Sequence, residues 1–288
     1  MKLPFAFLLA CTAMTATHAQ PFKYVYKEHK LYTEVGAFAG LMKAQTDLTA
    51  GFTKSASFNS GAYIGVLYKH LIGARLEYTK GEVREADTLN NNMQFKIRNL
   101  NYRSSIEEYS FLTEFHFLAL NRSWLEEPLK VSPYLMLGVG YYRFNPQTYY
   151  RGYWYDLQPL RTEGQGFAEY PAREPYKLKQ FNIPFGIGMR VEICKEVSFR
   201  LEFIYRYLFT DYLDDVSTTY IDPTLFDRYL SSDNAELAKN VFKRRWRPGG
   251  SYQTGEKRGG NKTNDAYYTL NMKFCVNIGR EKSNPYRK

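Results

Sequence analysis

From Leu31 onward, apolar and polar side chains alternate in segments of about ten residues, separated by stretches rich in Gly, Asn, Pro and charge. Eight such segments lie at approximately 31–41, 60–69, 71–81, 105–120, 132–145, 178–193, 197–209 and 266–278. In 197–209, Val197, Phe199, Leu201, Phe203, Tyr205, Tyr207 and Phe209 share one face, and Ser198, Arg200, Glu202 and Arg206 the other. Segment 105–120 sets Tyr109, Phe111, Phe115 and Phe117 against Glu108, Ser110, Glu114 and His116 in the same way. A period of two belongs to extended strands, because a helix would scatter both sets around its circumference.

Connection lengths carry the next step. Gaps of about 18, 23, 32 and 56 residues alternate with gaps of about 1, 11 and 3, so long and short loops fall at opposite ends. Several segments also exceed the roughly five or six residues at which soluble strands cluster. The expectation is an all-β fold: an antiparallel transmembrane β-barrel of about eight strands, with short periplasmic turns and long extracellular loops. A soluble antiparallel sandwich, whose strands also alternate, is the competing reading. Tyr141, Phe144, Tyr207, Phe209, Tyr267 and Tyr268, near the outer ends, are expected to form an interfacial aromatic girdle.

The first nineteen residues break the pattern. Lys2 gives a positive start, Pro4 to Ala13 an apolar run, and Thr17-His18-Ala19 small residues at both cleavage-determining positions. This predicts a secretory signal peptide cut after Ala19 and delivery to the cell outer membrane. Leu8-Leu9-Ala10-Cys11 also looks like a lipoprotein cleavage box, but it follows Met1 too closely for a full apolar core. The expected organisation is a leader at 1–19, a periplasmic lead-in at 20–30, the barrel at 31–278 and a short basic tail at 279–288. Beyond Ala19 no stretch approaches the roughly 20 apolar residues of a membrane-spanning helix.

Composition sharpens this picture. Aromatic residues make up 17% of the chain, yet the mean hydropathy is −0.49, a pairing that suits aromatic strands with polar partners. Cleavage leaves two cysteines, Cys194 and Cys275, too few for a disulfide-built scaffold. The net charge of +10, or +9 once Lys2 is removed, fits anionic lipid headgroups, an acidic partner or nucleic acid. An exported protein seldom meets nucleic acid, so outer-membrane lipid is the expected partner and nucleic acid is not.

Strand parity assigns Arg75, Arg190, Arg200, Arg206 and Lys273 to the barrel interior, opposite Glu34, Glu77, Glu108, Glu114, Glu192 and Glu202. An eight-stranded barrel is only wide enough for its own side chains, and a buried charge needs a partner. The near-balanced set therefore predicts a closed, ion-paired interior rather than a solute pore, with a proton or ion pathway as the functional alternative. The mature histidines, His29, His70 and His116, fall in no predicted extracellular loop, which argues against histidine-based hydrolysis there. Carboxylate-only chemistry stays open. No catalytic residue, metal or cofactor is assigned.

Three loop stretches stand out. Asp211-Tyr212-Leu213-Asp214-Asp215, continuing to Tyr220, places three acids within five residues, enough for a hard cation such as calcium. The spacing matches no EF-hand loop, however, and such residues equally bind loop backbone. In Asp156 to Gly166 the glycines do not lie between strand and helix, so a folded loop over the barrel mouth is expected rather than a phosphate cradle. Lys243-Arg244-Arg245-Trp246-Arg247 and Lys257-Arg258, in the long loop 222–264, suit lipopolysaccharide phosphates, a protein partner or plain solvation.

Phe209 to Tyr220, Asp156 to Gly166, and Arg98-Asn99-Leu100-Asn101-Tyr102-Arg103-Ser104-Ser105-Ile106-Glu107-Glu108 together resemble the PorG-like outer-membrane β-barrels, in order over about residues 30–278. The motif residues are Asp156, Gln158, Pro159, Glu163, Gly164, Gly166, Asp211, Tyr212, Asp214 and Asp215. The resemblance implies a non-enzymatic accessory subunit of the type IX protein secretion system, associated with a periplasmic ring of PorK-like and PorN-like proteins. It implies neither the translocation pore nor any catalytic residue. A small channel and a barrel enzyme are the alternatives.

Overall fold

The computed structural model describes residues 31–48, 54–121, 130–244, 252–260 and 263–279. The expected leader and lead-in, the tail from Arg280 onward, and Arg245-Trp246-Arg247 of the basic run lie outside the described residues. The strands are β1 (Leu31–Gln45), β2 (Ser57–Tyr68), β3 (Ile72–Ala86), β4 (Asn101–Phe115), β5 (Lys130–Tyr150), β6 (Tyr153–Asp156), β7 (Lys179–Glu192), β8 (Val197–Leu208) and β9 (Ala266–Ile278). Each strand pairs antiparallel with its neighbours. β1 joins β2 to β9, and β4 joins β3 to β5, so eight strands close on themselves. β6 is a short return that extends the top of β5 as a hairpin.

Each expected strand is present, with shifted ends. β4 stops at Phe115, and Phe117–Leu120 forms a 3-10 turn where the strand was expected to continue. β5 runs on to Tyr150. The β2–β3 connection is a tight turn in which Lys69 and His70 both adopt left-handed backbone (φ 52° and 56°), the geometry of a type I′ hairpin. This turn shares one end of the barrel with residues 193–196, while the connections 87–100 and 151–178 and the described residues of 209–265 lie at the other. The long connections hold helices that alternation did not foretell: α1 (Met93–Arg98), α2 (Thr224–Tyr229) and α3 (Ser232–Val241).

The outer wall is apolar. Leu41, Ile64, Leu76, Phe111, Leu137, Phe185, Leu201 and Met272 are exposed on successive strands around the whole circumference. No soluble monomer leaves so continuous an apolar belt in water, whereas a bilayer requires it and a closed barrel satisfies every strand edge. The belt ends abruptly on β3, β4 and β5, whose outward positions change to Lys80, Glu82 and Arg84, to Glu107, Ser105 and Arg103, and to Arg143, Asn145 and Gln147. Tyr141, Tyr207 and Phe209 are exposed at this rim and Tyr268 is partly so. Phe144 and Tyr267 are not in the girdle: both are fully buried beneath the long loops. Their parity is inward, and there the interior becomes an apolar core.

Inward glycines make room for two buried rings. Gly36 of β1 faces Tyr63 of β2, and Gly188 of β7 faces Tyr134 of β5. A Cβ at Gly36 would stand 2.5 Å from Tyr63 Cε1, so each large ring occupies the space of its neighbour's missing side chain. Gly36→Val is expected to destabilise the barrel by about 1–3 kcal/mol through overpacking, measured as a lower urea midpoint for loss of heat-modifiable mobility; an unchanged midpoint would contradict this packing.

Candidate functional site

The interior below the loops is a network of charge. Arg75 on β3 reaches across to Glu202 on β8 with two nitrogens at 2.7 Å, and also bonds Glu114. Arg200 bridges Glu34 (2.7 Å) and Glu114 (2.8 Å). Lys273 joins Glu77 and, at 3.0 Å, Glu202. Arg190 lies 3.4 Å from Glu34 and 3.3 Å from Glu192. Arg206 donates to Glu108 at 2.6 Å, whose other oxygen accepts from Asn182. All eleven charged residues read by parity are thus buried and paired, ten of them with at most 4% of their surface exposed.

Neutral donors complete the packing. Tyr63 donates to Glu34 and Tyr134 to Glu202. His116, just beyond β4, bonds Glu114 Oε2 (3.1 Å) and Ser132 (3.0 Å) and stacks on Tyr134. His70 lies in the hairpin turn against Tyr32. Cross-barrel guanidinium–carboxylate contacts replace hydration, and the lumen holds side chains where a pore would hold water.

Above the lumen the long loops fold into a cap, and here the sequence motifs meet. Glu163, fully buried, accepts from Ser217 N (3.0 Å), Thr218 N (2.9 Å) and Oγ1 (2.6 Å), and Arg258 Nη1 (2.9 Å). Asp215, in left-handed backbone (φ 63°), accepts from Thr162 Oγ1 (2.5 Å) and Tyr176 OH (2.8 Å). Its carbonyl accepts from Arg258. Arg98, paired in bidentate fashion with Asp87, donates to the carbonyl of Arg258 at 2.6 Å. Residues 156–166 and 211–220 therefore meet at the Arg258 guanidinium, and Arg98 of 98–108 joins them through the Arg258 carbonyl. Arg258 is 3% exposed. Of the basic pair Lys257-Arg258, Arg258 is accordingly no part of an anion-binding surface, because loop closure engages its guanidinium, whereas Lys257 is exposed.

The remaining motif residues serve the same loops. Asp156 accepts from Asn145 (2.9 Å) and Gln147 (2.7 Å), Gln158 reaches Tyr176 O, and Pro159 sits in a 3-10 turn. Gly164 and Gly166 take φ of +73° and +77°, backbone that suits glycine. Tyr212 stacks on Tyr176, and Asp214 accepts from Val216 N. Leu160, Phe167, Leu213, Phe226, Ala238 and Phe242 then bury an apolar core continuous with Phe144 and Tyr267 of the strands.

One cleft of about 500 Å³ opens at the cap's edge, lined by Asp47, Asp211, Asp265, Tyr205, Tyr207 and neighbouring polar residues. Burial, and then the nearness of Asp47 and Glu163, push the Asp211 carboxyl up to about 7. Burial raises Asp215 to about 6 against the pull of Arg258. Among the described residues, no group of three or more His, Cys, Asp or Glu side chains is placed to hold a metal ion.

Two outcomes follow from these charges. Glu202→Gln leaves Arg75 and Lys273 short of a counter-charge in the lumen and should cost about 3–5 kcal/mol, read as a lower denaturant midpoint; a neutral result would show that the network contributes no stability. Carboxyls raised above their unfolded value near 4 favour the folded cap when protonated. That stability is complete at low pH and is lost as pH rises through about 6 to 7. Protease resistance of the cap, normalised to an unfolded substrate, should thus be greater at pH 5.5 than at pH 8, and Asp211→Asn should flatten the difference.

Comparison with known proteins adds the following. Three solved structures align with this chain at a TM-score of 0.38 each: Neisserial surface protein A (12% identity, 85% of this chain and 96% of that one), Ail, the attachment invasion locus protein of Yersinia pestis (9%, 86% and 98%), and a major outer membrane protein from Thermus thermophilus (13%, 85% and 99%). No curated protein matches. The family model described as "Domain of unknown function (DUF6089)" matches residues 22–224, most of the chain, and this sealed, capped barrel belongs to that family.

Proposed function

We propose that the protein is a non-enzymatic, non-conducting barrel subunit of the outer membrane, acting through its two ends rather than through its lumen. The observation that carries this reading is the sealed interior. Arg75, Arg200 and Lys273 cross-link opposite walls through Glu34, Glu77, Glu114 and Glu202, and the cap roofs them. A solute would have to break several buried ion pairs to pass, each costly in low dielectric. His116, the histidine inside the barrel, is buried and committed to Glu114 and Ser132, which leaves it no access to an external substrate.

The finer role rests on the PorG-like resemblance of the three interlocking motifs. It supports a place in the type IX protein secretion machinery, with the short-turn end meeting a periplasmic ring of PorK-like and PorN-like proteins and the capped end outside. Such a subunit ties the ring to the membrane and needs rigidity, which the lumen and cap supply.

Affinity purification of the tagged protein from detergent-solubilised outer membranes, with mass spectrometry of everything retained, should recover the ring proteins. Deletion should stop export of type IX cargo with general membrane integrity intact, and the purified barrel should give no conductance above bare bilayer. A barrel recovered without partners, together with normal secretion in the deletion strain, would overturn the secretion role; stable single-channel steps would overturn the closed lumen.

A further inference from the structure

The β5–β6 hairpin stands outside the lumen and touches the cap core only through Tyr150 among its aromatic residues. It leaves the lipid belt at the paired residues Tyr109 and Tyr141, and six register steps further up, about 20 Å along the strand, Arg103 pairs with Gln147. There β5 turns back through Arg151 and Gly152, both in left-handed backbone (φ 47° and 92°), into β6. This height is beyond the apolar belt, where outward positions are already Arg143, Asn145 and Gln147.

The hairpin nevertheless carries aromatic side chains in the open. Tyr149, Tyr153 and Trp154 are 44%, 69% and 38% exposed. On the outward face the guanidinium of Arg103 lies 4.1 Å over the Trp154 ring, and Trp154 packs on Tyr149 at 5.3 Å. Arg103 is aligned by Nε donating to Gln147 at 2.9 Å. On the other face Arg151 and Arg244 both lie against the Tyr150 ring, and Arg244 is fixed by a 2.8 Å bond to Tyr149 O. Arg244 belongs to the basic run of the long loop, so the fold brings part of that run onto the hairpin. The carboxylate of the hairpin, Asp156, is engaged by Asn145 and Gln147.

Exposed indole and phenol faces beside fixed guanidinium forks match a phosphorylated saccharide: sugar C–H faces stack on the rings, and planar forks take phosphate oxygens two at a time. The stack of Arg103, Trp154 and Tyr149 lies on the outward side of the barrel wall, beyond the apolar belt. We infer that the hairpin 147–156, with Arg103 and Arg244, is a binding edge for the phosphorylated core sugars of lipopolysaccharide in the surrounding outer leaflet. This rests on the outer-membrane placement proposed above but not on the secretion role, which co-purification tests separately.

The test uses the full mature chain with Trp124→Phe and Trp246→Phe, so that Trp154 alone reports. The protein is placed in phospholipid nanodiscs and titrated with lipopolysaccharide carrying its full phosphorylated core, with deep-rough lipopolysaccharide lacking it, and with phosphatidylglycerol. The full core should shift Trp154 emission with an affinity at least about tenfold above the other two. Arg103→Ala combined with Arg244→Ala should reduce it to the deep-rough level while heat-modifiable mobility shows the barrel folded. Equal responses to all three lipids would mean ordinary membrane contact, and wild-type affinity in the folded double variant would remove the arginines from the site; either result overturns the assignment.

Discussion

Charges sealed from water must find one another, and much of this structure follows from that constraint. Closing eight strands leaves no room for solvent around Arg75, Arg200, Arg206 or Lys273. Each is held by carboxylates from other strands, so pairing fixes which wall faces which. Register along β3, β8 and β9 and charge placement across the barrel are therefore one requirement, since a one-residue slip would carry these ions into lipid. The glycines that admit Tyr63 and Tyr134 belong to the same arrangement, because those phenols supply the donors that Glu34 and Glu202 still need.

The cap repeats this physics with backbone as well as side chains. Glu163 collects two amides, a hydroxyl and a guanidinium, and Arg258 spends its donors on Glu163, Asp215 O and Phe242 O. A loop region ordered in this way costs chain entropy that burial and dense pairing offset. The outcome is a rigid mouth whose surfaces, rather than its interior, are available to partners.

Much of the barrel was legible in the chain because alternation is local: Phe199, Leu201 and Phe203 against Arg200 and Glu202 need no knowledge of the fold. Lumen parity followed from the same count. Phe144 and Tyr267 failed as girdle residues because periodicity tells inward from outward but not whether a loop covers the strand end. Arg258 failed as surface charge for a related reason: its partners, Glu163 and Asp215, lie 95 and 43 residues away. The two acidic and glycine-bearing motifs could be singled out by composition, but their mutual contact is a tertiary fact. Short helices such as Thr224–Tyr229 gave too few turns for a helical period to register, and the aromatic hairpin lies beyond residue 145, where the expected fifth strand ends.

The interlock around Arg258 also makes three separate connections depend on one another. Its parts come from the β3–β4, β5–β7 and β8–β9 connections, so none is complete without the others. A cap shared among three connections in this way is complete only when all three stand at the same end of the closed barrel. Loosening any one of the three connections therefore deprives the other two of partners, so the mouth holds or opens as a unit.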